Sequence, residues 1–247
     1  MNSLIEINNL TVRFGDHTAL EDITLSIGRG DFLAVVGPNG SGKTTFLKAV
    51  LGMVKPRSGE ILIEGLPPGR RDWTNFGYVP QLKTLDKGFP ARVIDLVVSG
   101  LRQSWPSRIS PDERERAISA LEMVGMAGEY RRPLVELSGG QLQKIYLARS
   151  FVRNPAILLL DEPATGIDVV CEGSINEHIE EVNRDRKTTI IMVTHNWATA
   201  RHHAKTILLV NRRQIYYGPT EKAFEQEKLR QAFIHTGMEE NRGHTHV

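Results

Sequence analysis

The stretch GPNGSGKTT, from Gly37 to Thr45, places glycines at 37, 40 and 42, with a lysine and two threonines directly after the last. Gly37, Gly42, Lys43 and Thr44 fit the spacing G-x-x-x-x-G-K-[ST] without a gap. Such glycines let the main chain wrap around phosphate oxygens with its N–H groups turned inward. Pro38, Asn39, Gly40, Ser41 and Thr45 complete the cradle. Lys43 would reach the terminal phosphates, and the Thr44 hydroxyl is the kind of oxygen donor that Mg²⁺ takes. Far downstream, ILLLDEP sets Asp161 at the end of an apolar run, where a carboxylate can reach a hydrated Mg²⁺. Glu162 follows it directly and could polarise an attacking water, as general base or as orienter. A second glycine loop, LSGGQ, runs from Leu137 to Gln141. Ser138, Gly139, Gly140 and Gln141 open a helix-like run there, and a helix start carries amide donors and a positive dipole end. A plain helix cap would also account for the serine and the glycines.

These loops need strands and helices to hold them. DFLAVV is a short buried-strand run, and KTTFLKAVL, residues 43–51, reads as the helix that a phosphate loop requires. Ile5, Ile7, Val12 and Phe14 fit one strand, and Ile23, Leu25 and Ile27 fit another. GEILIEG and NFGYVPQ look like further strands. Residues ~88–135 read as a helical insert. Its second helix starts with Ser110 as cap, Pro111 at the first position and Glu113 three residues after the cap. Ala117, Ile118, Leu121 and Val124 give that helix an apolar stripe. PAILLLDEP and KTTIIMVTHN are unbroken apolar runs of the kind buried on both faces of a parallel sheet. EGSINEHIEEVNRD is a helix between them, KTILLVNRRQIYYG a hairpin, and TEKAFEQEKLRQAFI a last helix. The expected fold class is α/β with a mainly parallel sheet. The domain expected is residues 1–237, with 238–247 a flexible tail.

Composition narrows the setting. A hydrophobic content of 40% with 24% charged residues is that of a globular protein. A net charge of +2 gives no strong field for a polyanion, so no nucleic-acid partner is expected. Cys171 is the single cysteine; it fits a reducing compartment and reads as a packing residue. The N-terminus lacks the pattern of a signal peptide. The apolar runs fall short of the ~20 residues that a spanning helix needs.

With these motifs in order, the chain resembles the ATP-binding subunits of ABC transporters, from about Ile5 to Gly218. The resemblance implies a P-loop NTPase core with an N-terminal antiparallel β part and the helical insert, and ATP with Mg²⁺ as cofactors. It implies that Phe14 stacks on adenine, where the family more often has tyrosine, with a core strand residue as the alternative that strand alternation also allows. Gln81, in YVPQ, matches a glutamine that touches Mg²⁺ or the attacking water. His195, in VTHN, matches a histidine that bonds the γ-phosphate. Asp168 ends TGID, where the family form is Ser-Ala-Leu-Asp, and would keep the subunit-crossing loop intact. LSGGQ would bind the γ-phosphate held by another subunit, so a head-to-tail dimer, with a second, identical ATP-binding subunit, is implied. So are a separate integral-membrane permease, a location on the cytoplasmic face of the membrane, and an extracytoplasmic substrate-binding protein if the system imports.

TGID and FPARVIDLVVSG resemble the branch that imports manganese, zinc or iron. Chelated iron or vitamin B12 are the nearest alternatives, and a soluble ATPase acting on ribosomes, nucleic acid or cofactor assembly is the rival class. His202 and His203, and the tail residues His244 and His246, read as surface rather than metal ligands. Adjacent helical residues point in different directions, and the tail offers no supporting shell.

Overall fold

The computed structural model describes residues 3–68, 75–81, 91–102, 105–106, 108–165, 167 and 169–223, less the side chains at 169 and 170. The chain divides into two compact units, Met1–Arg71 with Ile191–Val247, and Asp72–Ile190.

In the first unit, β1 (Ser3–Phe14) and β2 (His17–Gly28) form an antiparallel hairpin, and β4 (Ser58–Ile63) pairs antiparallel on the other side of β1. This is the antiparallel N-terminal part. β3 (Phe32–Val36) pairs parallel with β8 (Thr206–Asn211), which turns antiparallel into β9 (Arg213–Pro219). β3, with all five residues buried, is an apolar run of the kind that both faces of a sheet cover. β7 (Thr189–Thr194), beside β3 in strand order, is as fully buried. Helices α1 (Lys43–Val50), α6 (Trp197–His203) and α7 (Thr220–Ala223) complete the described part.

The simple alternation expected for β1 breaks midway. Ile5, Ile7, Leu10 and Val12 are buried, whereas Phe14 is 51% exposed. The cause is local. Asn9 takes φ +48°, and the pairing with β2 shifts register around Leu10 and again after Val12. A bulge at that point moves the buried face from Ile5 and Ile7 to Leu10 and Val12. Phe14, paired with His17 beside the hairpin turn, is left on the surface.

The second unit holds β5 (Phe76–Val79) and β6 (Ile157–Asp161), paired parallel, with α2 (Val93–Ser99), α3 (Pro111–Glu122), α4 (Gly139–Phe151) and α5 (Val169–Arg186). Single 3₁₀ turns at Ala127–Glu129 and Leu134–Glu136 lead from α3 towards α4. The start of α3 forms as its sequence requires. Ser110 Oγ accepts from the Glu113 N–H, and the Glu113 carboxylate accepts from the Ser110 N–H. The bond from Arg102, then that backbone donor, holds the Glu113 carboxyl down to about 2. A lowered carboxyl value means that this cap is in place above the ordinary value and is lost as pH falls through the lowered one. The buried stripe of α3 runs Ala117, Ala120, Leu121 and, just beyond, Val124, with Ile118 only half-buried. The last helix expected, beyond Ala223, and the tail 238–247 lie outside the described residues.

Candidate functional site

In the first unit the phosphate loop joins β3 to α1, the strand–loop–helix context that its sequence predicts. Gly40 (φ +77°) and Gly42 (φ +100°) take left-handed conformations that a β-carbon disfavours. Gly37 has a different reason. A methyl group there would sit 2.1 Å from the Val210 carbonyl oxygen. The end of the β8–β9 hairpin therefore braces the loop from below, and the Arg212 N–H adds a 2.9 Å bond to the Ser41 carbonyl. Sequence reading missed this brace because residues 210–212 carry no motif.

Lys43 is 6% exposed, and its Nζ donates to the carbonyls of Gly37 at 2.9 Å and Pro38 at 2.8 Å. Its stem is thus folded back under the loop. Ser41 is 1% exposed, and its Oγ has no hydrogen-bond partner among the described residues. An orphaned buried hydroxyl costs free energy unless a ligand completes it, and a phosphate oxygen suits it. Thr44 and Thr45 are half-buried in the first turn of α1, and Asn39 and Gly40 are exposed. His195 is exposed directly after β7. Asn196 then caps α6, its side chain accepting from the Thr199 N–H at 3.2 Å.

In the second unit, Asp161 is the last residue of β6 and is 3% exposed. Burial first, and then the charge of Asp161, push the Tyr78 phenol above its ordinary value. Glu162 follows with φ +50°, a strained position for a residue with a side chain. Its Oε2 accepts from Gln81 Nε2 at 3.1 Å and from Thr165 Oγ1 at 2.9 Å. Strand register accounts for the meeting. Val79 pairs with Leu160, so the two chains leave β5 and β6 in step and bring Gln81 opposite Glu162. Thr165 in this role was not foreseen from sequence.

LSGGQ forms the start of α4. Ser138 is its N-cap and Gln141 its third residue, and they bond reciprocally: Gln141 N–H to Ser138 Oγ at 3.3 Å, and Ser138 N–H to Gln141 Oε1 at 3.0 Å. The serine and the glutamine are thus a capping box, and Gly139 stands exposed between them. Gly166 and Asp168 lie outside the described residues, as do His244 and His246.

Known proteins resemble this chain in sequence and fold. The family model described as ABC transporter matches residues 20–165. The manganese transport system ATP-binding protein MntB of Listeria monocytogenes is 34% identical, over 93% of this chain and 95% of its own. The zinc uptake system ATP-binding protein ZurA of Listeria innocua is 35% identical, over 88% and 86%. Among solved structures, cbiO1 of Clostridium perfringens, part of the ABC transporter complex cbiONQ, is 27% identical with a TM-score of 0.77, covering 96% of each chain. An ATP-binding cassette of an ABC transporter in its ADP conformation shares the fold, with a TM-score of 0.82 at 21% identity, over 95% of this chain and all of its own. The chain belongs to the ABC transporter family, as an ATP-binding and ATP-hydrolysing subunit.

Proposed function

We propose that this subunit powers the import of a metal ion, manganese, zinc or iron, through a separate integral-membrane permease, from the cytoplasmic face of the membrane. The observation that carries the metal assignment is the pair of relatives above, named for manganese and zinc and matched over nearly their whole length. No helix of the described residues is long and apolar enough to cross a membrane, which is consistent with a permease on another chain. An extracytoplasmic substrate-binding protein would deliver the ion. A relative of Yersinia pestis, 35% identical, is named for chelated iron, which keeps that cargo as the second reading. Uptake of radiolabelled manganese, zinc and iron by cells lacking this protein tests the assignment. Loss of one of these uptakes is expected on deletion; full uptake of all three overturns it.

Residues 1–237 then act as one ATPase domain carrying the helical part at about 88–135. Lys43 and the amides of Gly37–Thr45 hold the phosphates, and the exposed ring of Phe14 stacks on adenine. The donor set for Mg²⁺ is all oxygen: the Thr44 hydroxyl, the Gln81 amide and the Asp161 carboxylate, which suits a hard cation. Gln81 Nε2 is used on Glu162, so its amide oxygen is the atom available to the ion. Bound there, Mg²⁺ would neutralise phosphate charge. Glu162 polarises the attacking water, and His195 bonds the γ-phosphate. Phe14→Ala is expected to weaken ATP binding roughly tenfold, the usual scale for one base–aromatic stack, with Phe14→Tyr restoring it. A nucleotide titration with unchanged affinity in the alanine variant removes Phe14 from the site.

Ser138, Gly139, Gly140 and Gln141, with Asp168, complete the ATP site of a second copy in a two-fold, head-to-tail dimer. Ser138→Arg crowds that interface, but it also removes the cap. Ser138→Asp keeps the cap, because aspartate is as good an N-cap as serine, while its charge opposes a phosphate. Both variants are expected to bind ATP as the parent does and to lose about 100-fold in hydrolysis, the scale for one lost anion-stabilising contact. Parental hydrolysis by the aspartate variant removes the loop from the site.

A further inference from the structure

Gly139 and Gly140 are adjacent, yet the chain uses them differently. Gly139 is exposed, and a methyl group built on it meets nothing within 4 Å among the described residues. Gly140 is buried. A methyl group there lies 3.0 Å from Cys171 Sγ, 3.1 Å from Cys171 Cβ and 3.7 Å from Ile167 Cγ2. Those two residues are four apart, Ile167 just before α5 and Cys171 in its first turn. One turn along both helices, Lys144 Nζ donates to Ser174 Oγ at 3.0 Å. The contacts at 140/171 and 144/174 are therefore successive rungs of one seam between α4 and α5, as the spacing of helical neighbours requires. The seam fixes where α4 begins.

We propose that Cys171, assisted by Ile167, is a positioning residue for ATP hydrolysis: it seats Gly140 and thereby sets the placement of Ser138 and Gly139. The capping box makes the coupling rigid, since Ser138 and Gln141 are bonded to each other across Gly140. Anything that pushes Gly140 carries both of them. A methyl group at Gly140 would come closer to Cys171 than ordinary van der Waals contact, so either Cys171 or the helix start must give way. The thiol acts here by size and shape; no reactivity is required of it. The proposal rests on the reading of the Ser138–Gln141 loop as part of the hydrolytic site.

The test uses the full chain, with hydrolysis and ATP binding measured on the same preparations. Gly140→Ala is expected to lower kcat roughly tenfold, the scale of one overpacked contact, while the ATP affinity of the monomer stays at the parental value. Adding Cys171→Gly to Gly140→Ala removes both close atoms and is expected to recover most of the loss, a coupling that two independent sites do not show. Cys171→Leu, which leaves the loop sequence intact, is expected to reproduce the kcat defect without a change in KM. Failure of the double variant to recover, with its thermal unfolding unchanged, overturns the seat. So does parental activity in Gly140→Ala or in Cys171→Leu. These outcomes are separable from failure of the loop reading itself, because Ser138→Asp reports on the loop without touching the seam.

Discussion

Glu162→Gln is expected to bind ATP with parental affinity and to hydrolyse it about 10²- to 10⁴-fold more slowly, the range that a positioned general base contributes. The structure makes this substitution unusually clean. Gln81 Nε2 and Thr165 Oγ1 both converge on one carboxylate oxygen, Oε2. A glutamine at 162 keeps one carbonyl oxygen, and that oxygen can accept both bonds. What is lost is the charge and the ability to take a proton from water. The fold, the contact with Gln81 and the strained φ of +50° at position 162 are all retained. Glu162→Ala, by contrast, also removes the acceptor of both bonds, so its defect mixes chemistry with the loss of those two contacts. Single-turnover hydrolysis and ATP titration on the glutamine variant decide the matter. Size-exclusion chromatography with ATP is expected to show an accumulating dimer, since closure proceeds and the step that reopens it does not. Hydrolysis at the parental rate would show that the base lies elsewhere.

The pieces of this site were unequally legible in the sequence. The phosphate loop could be read residue by residue because its glycines answer local demands: left-handed φ at 40 and 42, inside a strand–loop–helix unit of contiguous residues. Gly37 was legible as a motif position but not in its cause, because the carbonyl of Val210 that forbids a side chain there comes from a distant hairpin. The meeting of Gln81 with Glu162 depends on parallel pairing across about eighty residues, and register between distant strands leaves no trace in either segment alone. Phe14 turned on its place at the strand end. Period-two alternation from Leu10 and Val12 predicts an inward ring, and its pairing with His17 beside the hairpin turn leaves it exposed instead. Its exposure removes the reading of Phe14 as a core residue and leaves the ring free to stack. In LSGGQ the serine-to-glutamine spacing is itself a capping-box pattern. The cap and the anion-binding reading therefore draw on the same atoms, and the pattern alone does not rank them. The unequal surroundings of the two glycines bear on that choice: Gly140 packs against the start of α5, whereas Gly139 has no neighbour among the described residues to explain it.

Lys43→Ala is expected to weaken ATP binding by about 10- to 100-fold, the equivalent of one hydrogen bond to a charged group. Two effects combine here, and they can be measured apart. The first is direct: the ammonium is the cation of the loop, and its loss leaves the phosphates to amides and hydroxyls. The second is internal. Lys43 Nζ bonds the carbonyls of Gly37 and Pro38, two groups at the start of the loop. Without the lysine those oxygens lose a partner inside a buried region, which favours a different loop conformation even before nucleotide arrives. Thermal unfolding without ATP reads the second effect, and nucleotide titration reads the sum. Lys43→Gln separates them further, because its amide can reach one of the two carbonyls while carrying no charge. It is expected to recover stability but not affinity. Lys43→Arg is expected to fail on both counts, since a planar guanidinium does not fit a position where the whole lysine is only 6% exposed. Unchanged affinity in Lys43→Ala would contradict the phosphate cradle. Affinity recovered by Lys43→Gln would show that the brace under the loop, rather than the charge, is what the lysine supplies.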